Sequence, residues 1–92
     1  MELAKLQQLT SLDLYATHIS DTGLKEVAKM KQLEWLSLNL CEKITDVGLK
    51  EVAKLKQLKF LVLPVNAKIT KEGWGELQKA LPNCEILSNA LR

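Results

Sequence analysis

Ninety-two residues, 47% of them hydrophobic and with a formal net charge of +2, make at most one domain. A chain this short buries about 60–65% of the surface its unfolded form exposes, and its leucine-led composition argues against wholesale disorder. The charge is small and almost all lysine, Arg92 being the one arginine. That speaks against nucleic acid or an anionic membrane as the partner, since a phosphate reader favours the bidentate guanidinium fork.

The chain opens with "MELAKLQQL", amphipathic and charged, so it does not read as a signal peptide. Its "ELAKL" copies the "EVAKL" that recurs later and predicts the tail of a preceding helix. Two readings stay open: Met1–Leu9 improvises a cap, or the chain is a piece of a longer array. No apolar run approaches the length of a membrane span.

From Leu9 the chain repeats itself. "ISDTGLKEVAKMKQL" (19–33) returns as "ITDVGLKEVAKLKQL" (44–58), and "ITKEGWGELQKAL" (69–81) is a looser third copy. Each unit begins "LxxLxL": Leu9–Leu12–Leu14, Leu33–Leu36–Leu38 and Leu58–Leu61–Leu63. The last two leucines of each alternate as in a short strand with one buried face. "GLxxVA" follows, where Leu24, Val27 and Ala28, then Leu49, Val52 and Ala53, mark one helix face. Each unit is thus a strand, a turn and a returning helix, so the strands stack in parallel. The expected repeats cover 6–30, 31–55 and 56–81, with a closing strand over 82–92, in one domain spanning 1–92.

Smaller features punctuate the units. The first turn, Tyr15 to His18, is one residue short, and the third helix is one residue longer, with Trp74 where the others carry leucine. Ser20, Thr45 and Thr70, or Asp21 and Asp46 beside them, are placed to accept from the free N–H groups at each helix start. In the third unit Lys71 replaces the aspartate, so Thr70 is the expected cap. Gly23, Gly48 and Gly73 are expected to let helix and strand approach closely. In the closing strand, counting "LxxL" puts Cys84 and Leu87 in leucine positions and Asn89 where a buried leucine would sit.

"LxxLxLxxCxxITDxGLxxVA", from Leu33 to Ala53, resembles the leucine-rich repeat family, most of all its cysteine-containing subclass, related to ribonuclease-inhibitor-like repeats. The resemblance covers essentially the whole chain. It implies an α/β fold, a right-handed solenoid of about three and a half strand-turn-helix repeats, with a parallel concave sheet and convex helices. It also implies protein binding as the usual function. Thr17, Cys41 and Asn66 fall at the turn position where the family hydrogen-bonds neighbouring turns. Only Asn66 both donates and accepts in full, so a weak turn ladder is expected.

The residues offer little for catalysis. His18 lies in a turn with no metal-ligand spacing around it, and a solvent-exposed role is the plainer reading. Cys41 falls in the turn ladder, where a buried, inert thiol is expected. Asp21 and Asp46 stack one repeat apart with no legible pocket for acid–base work. No enzyme, no cofactor and no metal is therefore expected. Lys25, Lys29, Lys31 and their repeats form a basic helical stripe, but Glu26, Glu51 and Glu76 interleave with it, as on a solvated face. Two cysteines far apart fit reduced thiols better than a disulfide framework, and no Asn-x-Ser/Thr site is present. A cytoplasmic setting is the expectation.

The concave side is more pointed. Strand alternation is expected to turn Ser11, Trp35, Phe60 and Ile86 outwards in one row. Asp13, Ser37, Val62 and Ser88 form the next, then Tyr15, Asn39 and Pro64. Trp35 and Phe60 would lie side by side, about 4.8 Å apart by strand spacing. An apolar patch with an aromatic centre suits a protein-binding face. Trp35, Phe60 and Tyr15 are the expected anchors, Val62 and Ile86 extend the patch, and Asp13 and Asn39 supply polar specificity. The expected function is a non-catalytic module binding a protein or peptide there, with no nucleic acid and no membrane. The alternative is a self-associating structural unit, a homo-oligomer joined by bare repeat edges or apolar patches.

Overall fold

The computed structural model describes residues 9–64 and 68–88. Four strands alternate with three helices: β1 (Ser11–Asp13), α1 (Asp21–Val27), β2 (Trp35–Ser37), α2 (Asp46–Val52), β3 (Phe60–Leu63), α3 (Lys71–Ala80) and β4 (Glu85–Ser88). The strands form one parallel sheet in the order β1-β2-β3-β4. Repeating strand-helix units of this kind make a leucine-rich-repeat-like solenoid of a few repeats, the sheet lining one side and the helices the other. The readings that rest on Met1–Gln8, Asn66 and 89–92 lie outside the described residues.

Helices α1 and α2 have seven residues each, too few to persist alone in water, so packing must hold them. Each buries its repeated face: Leu24 and Val27 in α1, Leu49 and Val52 in α2. Each helix has an acidic residue in its first turn and a lysine in its last, as the helix dipole favours. The leucines behind the strands lie in register, Leu12 beside Leu36, Leu36 beside Leu61, and Leu61 beside Ile86. Leu36, Leu38, Leu61 and Leu63 are fully buried. Each row therefore receives its lining from both neighbouring repeats, which is how a unit with half a core becomes stable.

Turns link strand to helix in two places with a left-handed residue, Ala16 (φ 57°) and Leu40 (φ 62°). Both sit third in a four-residue turn, closed by Thr17 N–H to Leu14 O at 3.2 Å and Cys41 N–H to Leu38 O at 3.1 Å. A leucine held there costs about 1–2 kcal/mol relative to glycine, and Leu40 is 48% exposed, so little packing offsets it. Leu40→Gly should raise stability by about 0.5–1 kcal/mol after the added freedom of the unfolded chain is counted. A rise in Tm of about 3–5 °C by calorimetry is the expected reading.

Cys41 is buried and donates from Sγ to Leu14 O across the turns at 2.9 Å, with Thr17 Oγ1 3.6 Å away. The thiol, a weak donor, is thus part of a turn-to-turn link. Helix α3 runs ten residues, three more than its counterparts. Trp74 packs half-buried against the core.

Candidate partner-binding face

The outward rows of the sheet follow from the register. The first is Ser11, Trp35, Phe60 and Glu85, and the second is Asp13, Ser37, Val62 and Leu87. Trp35 and Phe60 are neighbours across β2 and β3, and both are half-buried. Val62 is half-buried and Leu87 is 44% exposed. An aromatic pair with two aliphatic side chains therefore forms a continuous apolar strip over the middle and last strands. Cross-strand pairing explains part of the burial of Trp35 and Phe60, and both keep partial exposure.

Ile86 is the correction. It does not join the outward row: its register partner is Leu61, and it packs half-buried against the core. From the buried leucine before the strand to the strand's first residue the chain takes five steps before β3, Leu55 to Phe60, and four before β4, Leu81 to Glu85. Lys59 N–H and Phe60 N–H both donate to Glu34 O, whereas Glu85 N–H alone donates to Lys59 O. Cys84 and Ile86 both turn inward, so "CEI" behaves as one alternating strand. Counting "LxxL" placed Leu87 inside, and the real alternation puts it outside with Glu85. Glu85 and Leu87 are thus residues of this face that the sequence reading missed. Strict alternation from Cys84 was the signal for them, hidden because Ile86 and Leu87 are equally apolar.

The remaining residues stand at the margins of the strip. Asp13 is exposed at the β1 edge, and its Oδ1 accepts from Tyr15 N–H at 2.9 Å, which fixes the exit from the strand. Tyr15 is 56% exposed beyond the strand end. Asn39 is half-buried, and its Oδ1 finds no hydrogen-bond partner among the described residues. Its carbonyl accepts from Ala16 N–H at 2.8 Å, extending the ladder past β1. Pro64, expected in this third row, is buried.

On the opposite side the aspartates have an assigned use. Asp21 accepts from Thr45 N–H at 2.8 Å and from Thr45 Oγ1–H at 2.5 Å, and Asp46 accepts from Thr70 N–H at 2.9 Å and Thr70 Oγ1–H at 2.6 Å. Each threonine in turn caps its own helix, Thr45 accepting from Val47 N–H and Thr70 from Gly73 N–H. Ser20 makes no such side-chain cap bond. This ladder revises the reading of Gly48 and Gly73. A Cβ on Gly48 would clash with Asp21 Oδ1 and sit 2.8 Å from Leu24 Cδ1, and one on Gly73 would clash with Asp46 Oδ1 and Cγ. The close approach these glycines permit is to the aspartate of the preceding repeat, not to a strand.

A groove of about 650 Å³ lies between α2 and α3, floored by Leu49, Ala53, Leu77 and Ala80, with Asp46 among its lining residues. The sequence reading expected no pocket there. Asp46 in that groove is already engaged by Thr70, and among the described residues no group of three His, Cys, Asp or Glu could hold a metal ion. On the same helical side, Glu26 pairs with Lys29 at 3.1 Å and Glu51 with Lys54 at 3.0 Å. Cys84 is buried, and its thiol is pushed above its ordinary pKa by desolvation and by the nearby Glu85 carboxylate, which keeps it in the less reactive protonated form. Among the described residues no helix is long and apolar enough to cross a membrane.

No protein-family model matches the chain, and no curated protein matches it. Among solved structures it is similar to a leucine-rich-repeat protein of Leptospira interrogans, with 29% identity and a TM-score of 0.55. That similarity covers 94% of this chain and 27% of the Leptospira protein, so the chain spans about a quarter of that structure's length. Together with the repeated strand-helix fold, the likeness points to the leucine-rich-repeat family in general.

Proposed function

We propose that this chain is a non-catalytic leucine-rich-repeat module that binds a protein or peptide on its concave sheet face. The carrying observation is the half-exposed Trp35–Phe60 pair, continued by Val62 and Leu87 on the same sheet face. Trp35 and Phe60 are the anchors, and Tyr15, Asp13 and Asn39 form the rim. Within the family, the "ITDxGLxxVA" run and the buried Cys41 favour the cysteine-containing subclass. Two free, buried thiols suit a reducing compartment such as the cytoplasm.

The test is selection of a displayed peptide library on the immobilised domain, with affinities of the selected peptides measured against variants. Trp35→Ser and Phe60→Ser should each weaken binding about thirtyfold or more, the loss of a hot-spot aromatic, while circular dichroism keeps the parent's signature and Tm falls by about 4–8 °C, leaving both variants folded at 25 °C. Lys50→Glu, on the helical side, should leave affinity unchanged. Peptides indifferent to both aromatic variants would move the site elsewhere.

A second reading is self-association. Strand β1 is the outer strand of the sheet, with Leu9 at its approach 36% exposed. Light scattering behind size exclusion separates the two: mass rising with concentration, and falling again in Trp35→Ser, would mean that the patch pairs with itself.

A further inference from the structure

We infer that the partner segment is cationic: an extended stretch carrying an apolar residue between two basic ones, in the order basic-x-apolar-x-basic. This rests on the concave-face reading and adds the chemistry of the ligand. The eight outward strand positions from Ser11 to Leu87 include two acids, Asp13 and Glu85, and no base. Both acids are exposed, at opposite edges of the apolar strip, on β1 and β4. The described lysines lie on the helices and turns, and Lys59, at the entry to β3, sits 3.8 Å from Glu34. A chain that is positive overall thus presents a sheet face that is negative at its rims and apolar at its centre, and a cation is drawn to that side.

The spacing selects the form of the segment. Three strand separations, with an offset of two residues along the strand, put the two carboxylates about 16 Å apart. An extended chain covers about 13 Å from residue i to i+4, and long basic side chains reach the remainder. Residues i, i+2 and i+4 of an extended segment point the same way. The two bases therefore meet Asp13 and Glu85 while the apolar residue between them lands on Trp35 and Phe60. Asp13 has one oxygen bonded to Tyr15 N–H, which aims the carboxylate without neutralising it.

Three fluorescent twelve-residue peptides test this by polarisation. Their cores are Arg-Ser-Leu-Ser-Arg, Glu-Ser-Leu-Ser-Glu and Arg-Ser-Ser-Ser-Arg in identical Gly/Ser flanks. The first should bind about tenfold or more tighter than either of the others, and its affinity should fall as salt rises from about 50 to 500 mM. The double variant Asp13→Asn/Glu85→Gln keeps the Tyr15 acceptor. It should weaken the first peptide about tenfold and flatten the salt dependence, whereas Glu76→Gln on α3 should change neither. Tighter binding of the acidic peptide, or a first peptide indifferent to the double variant yet lost in Trp35→Ser, would overturn the cationic assignment and spare the concave face. Binding indifferent to Trp35→Ser would sink both. If none of the three binds at millimolar concentration, the cationic assignment is overturned, and the library selection alone decides the face.

Discussion

Asp46→Ala and Gly73→Ala should each destabilise the chain by about 2 kcal/mol, yet the double variant should cost only about 1 kcal/mol, less than either one. Asp46 accepts two hydrogen bonds from Thr70, and bonds to a charged acceptor contribute about 1.5–3 kcal/mol each. Partial exposure of the site and the water that replaces the carboxylate bring the net loss to the lower figure. For Gly73 the cost is steric, because the three nearest atoms to an added Cβ all belong to the Asp46 carboxylate. Without that carboxylate the space is free, and alanine in place of glycine then favours the helix by about 1 kcal/mol. The cycle should therefore show a coupling of about 3 kcal/mol, read from urea midpoints at constant m-value. Additive losses would mean that Gly73 is needed for some other contact.

The larger single effect belongs to the leucine rows. Leu61 is fully buried, with Leu36 beside it in β2 and Ile86 beside it in β4. Leu61→Ala removes one side chain from the middle of the row and opens a cavity that neither neighbour can fill alone. The expected loss is about 3–5 kcal/mol, against a total of about 5–14 kcal/mol for a chain of this length. Urea denaturation should place the variant close to its unfolding transition, with all probes moving together. The adjacent Phe60→Ser changes an outward ring and should cost about 1 kcal/mol. That contrast separates an interior residue from a surface one within two consecutive positions. A Leu61→Ala loss under about 1 kcal/mol would mean that the rows collapse readily around a vacancy.

Most of the architecture was legible because the chain states it repeatedly. Leu12, Leu36 and Leu61 recur at intervals of 24 and 25 residues, and a parallel register follows once each strand is succeeded by the same helix. Trp35 beside Phe60 was legible for the same reason. The failures come where repetition lapses. Before β4 the turn loses a residue, and with two apolar residues in succession the alternation had two solutions; only packing against Leu61 chose Ile86. The Asp–Thr ladder was hidden for a different reason. A short polar run beside a helix start reads as capping within one repeat, and nothing local tells that the carboxylate serves the next. Gly48 and Gly73 record that neighbour, but a glycine does not say which atom needed the room.

The ladder also bears on how such an array lengthens. Each aspartate is useful only if a successor brings the threonine that occupies it, and the glycine two residues behind it makes room for the aspartate of the unit before. A duplicated block carrying Thr, Asp and Gly together, as 45–48 does, can be inserted again without leaving any of these groups unmatched. A block copied from the third unit cannot, because Lys71 offers its successor a cation where a carboxylate is required. Tandem copies of the second unit thus continue the ladder and a copy of the third interrupts it, and one codon separates the two.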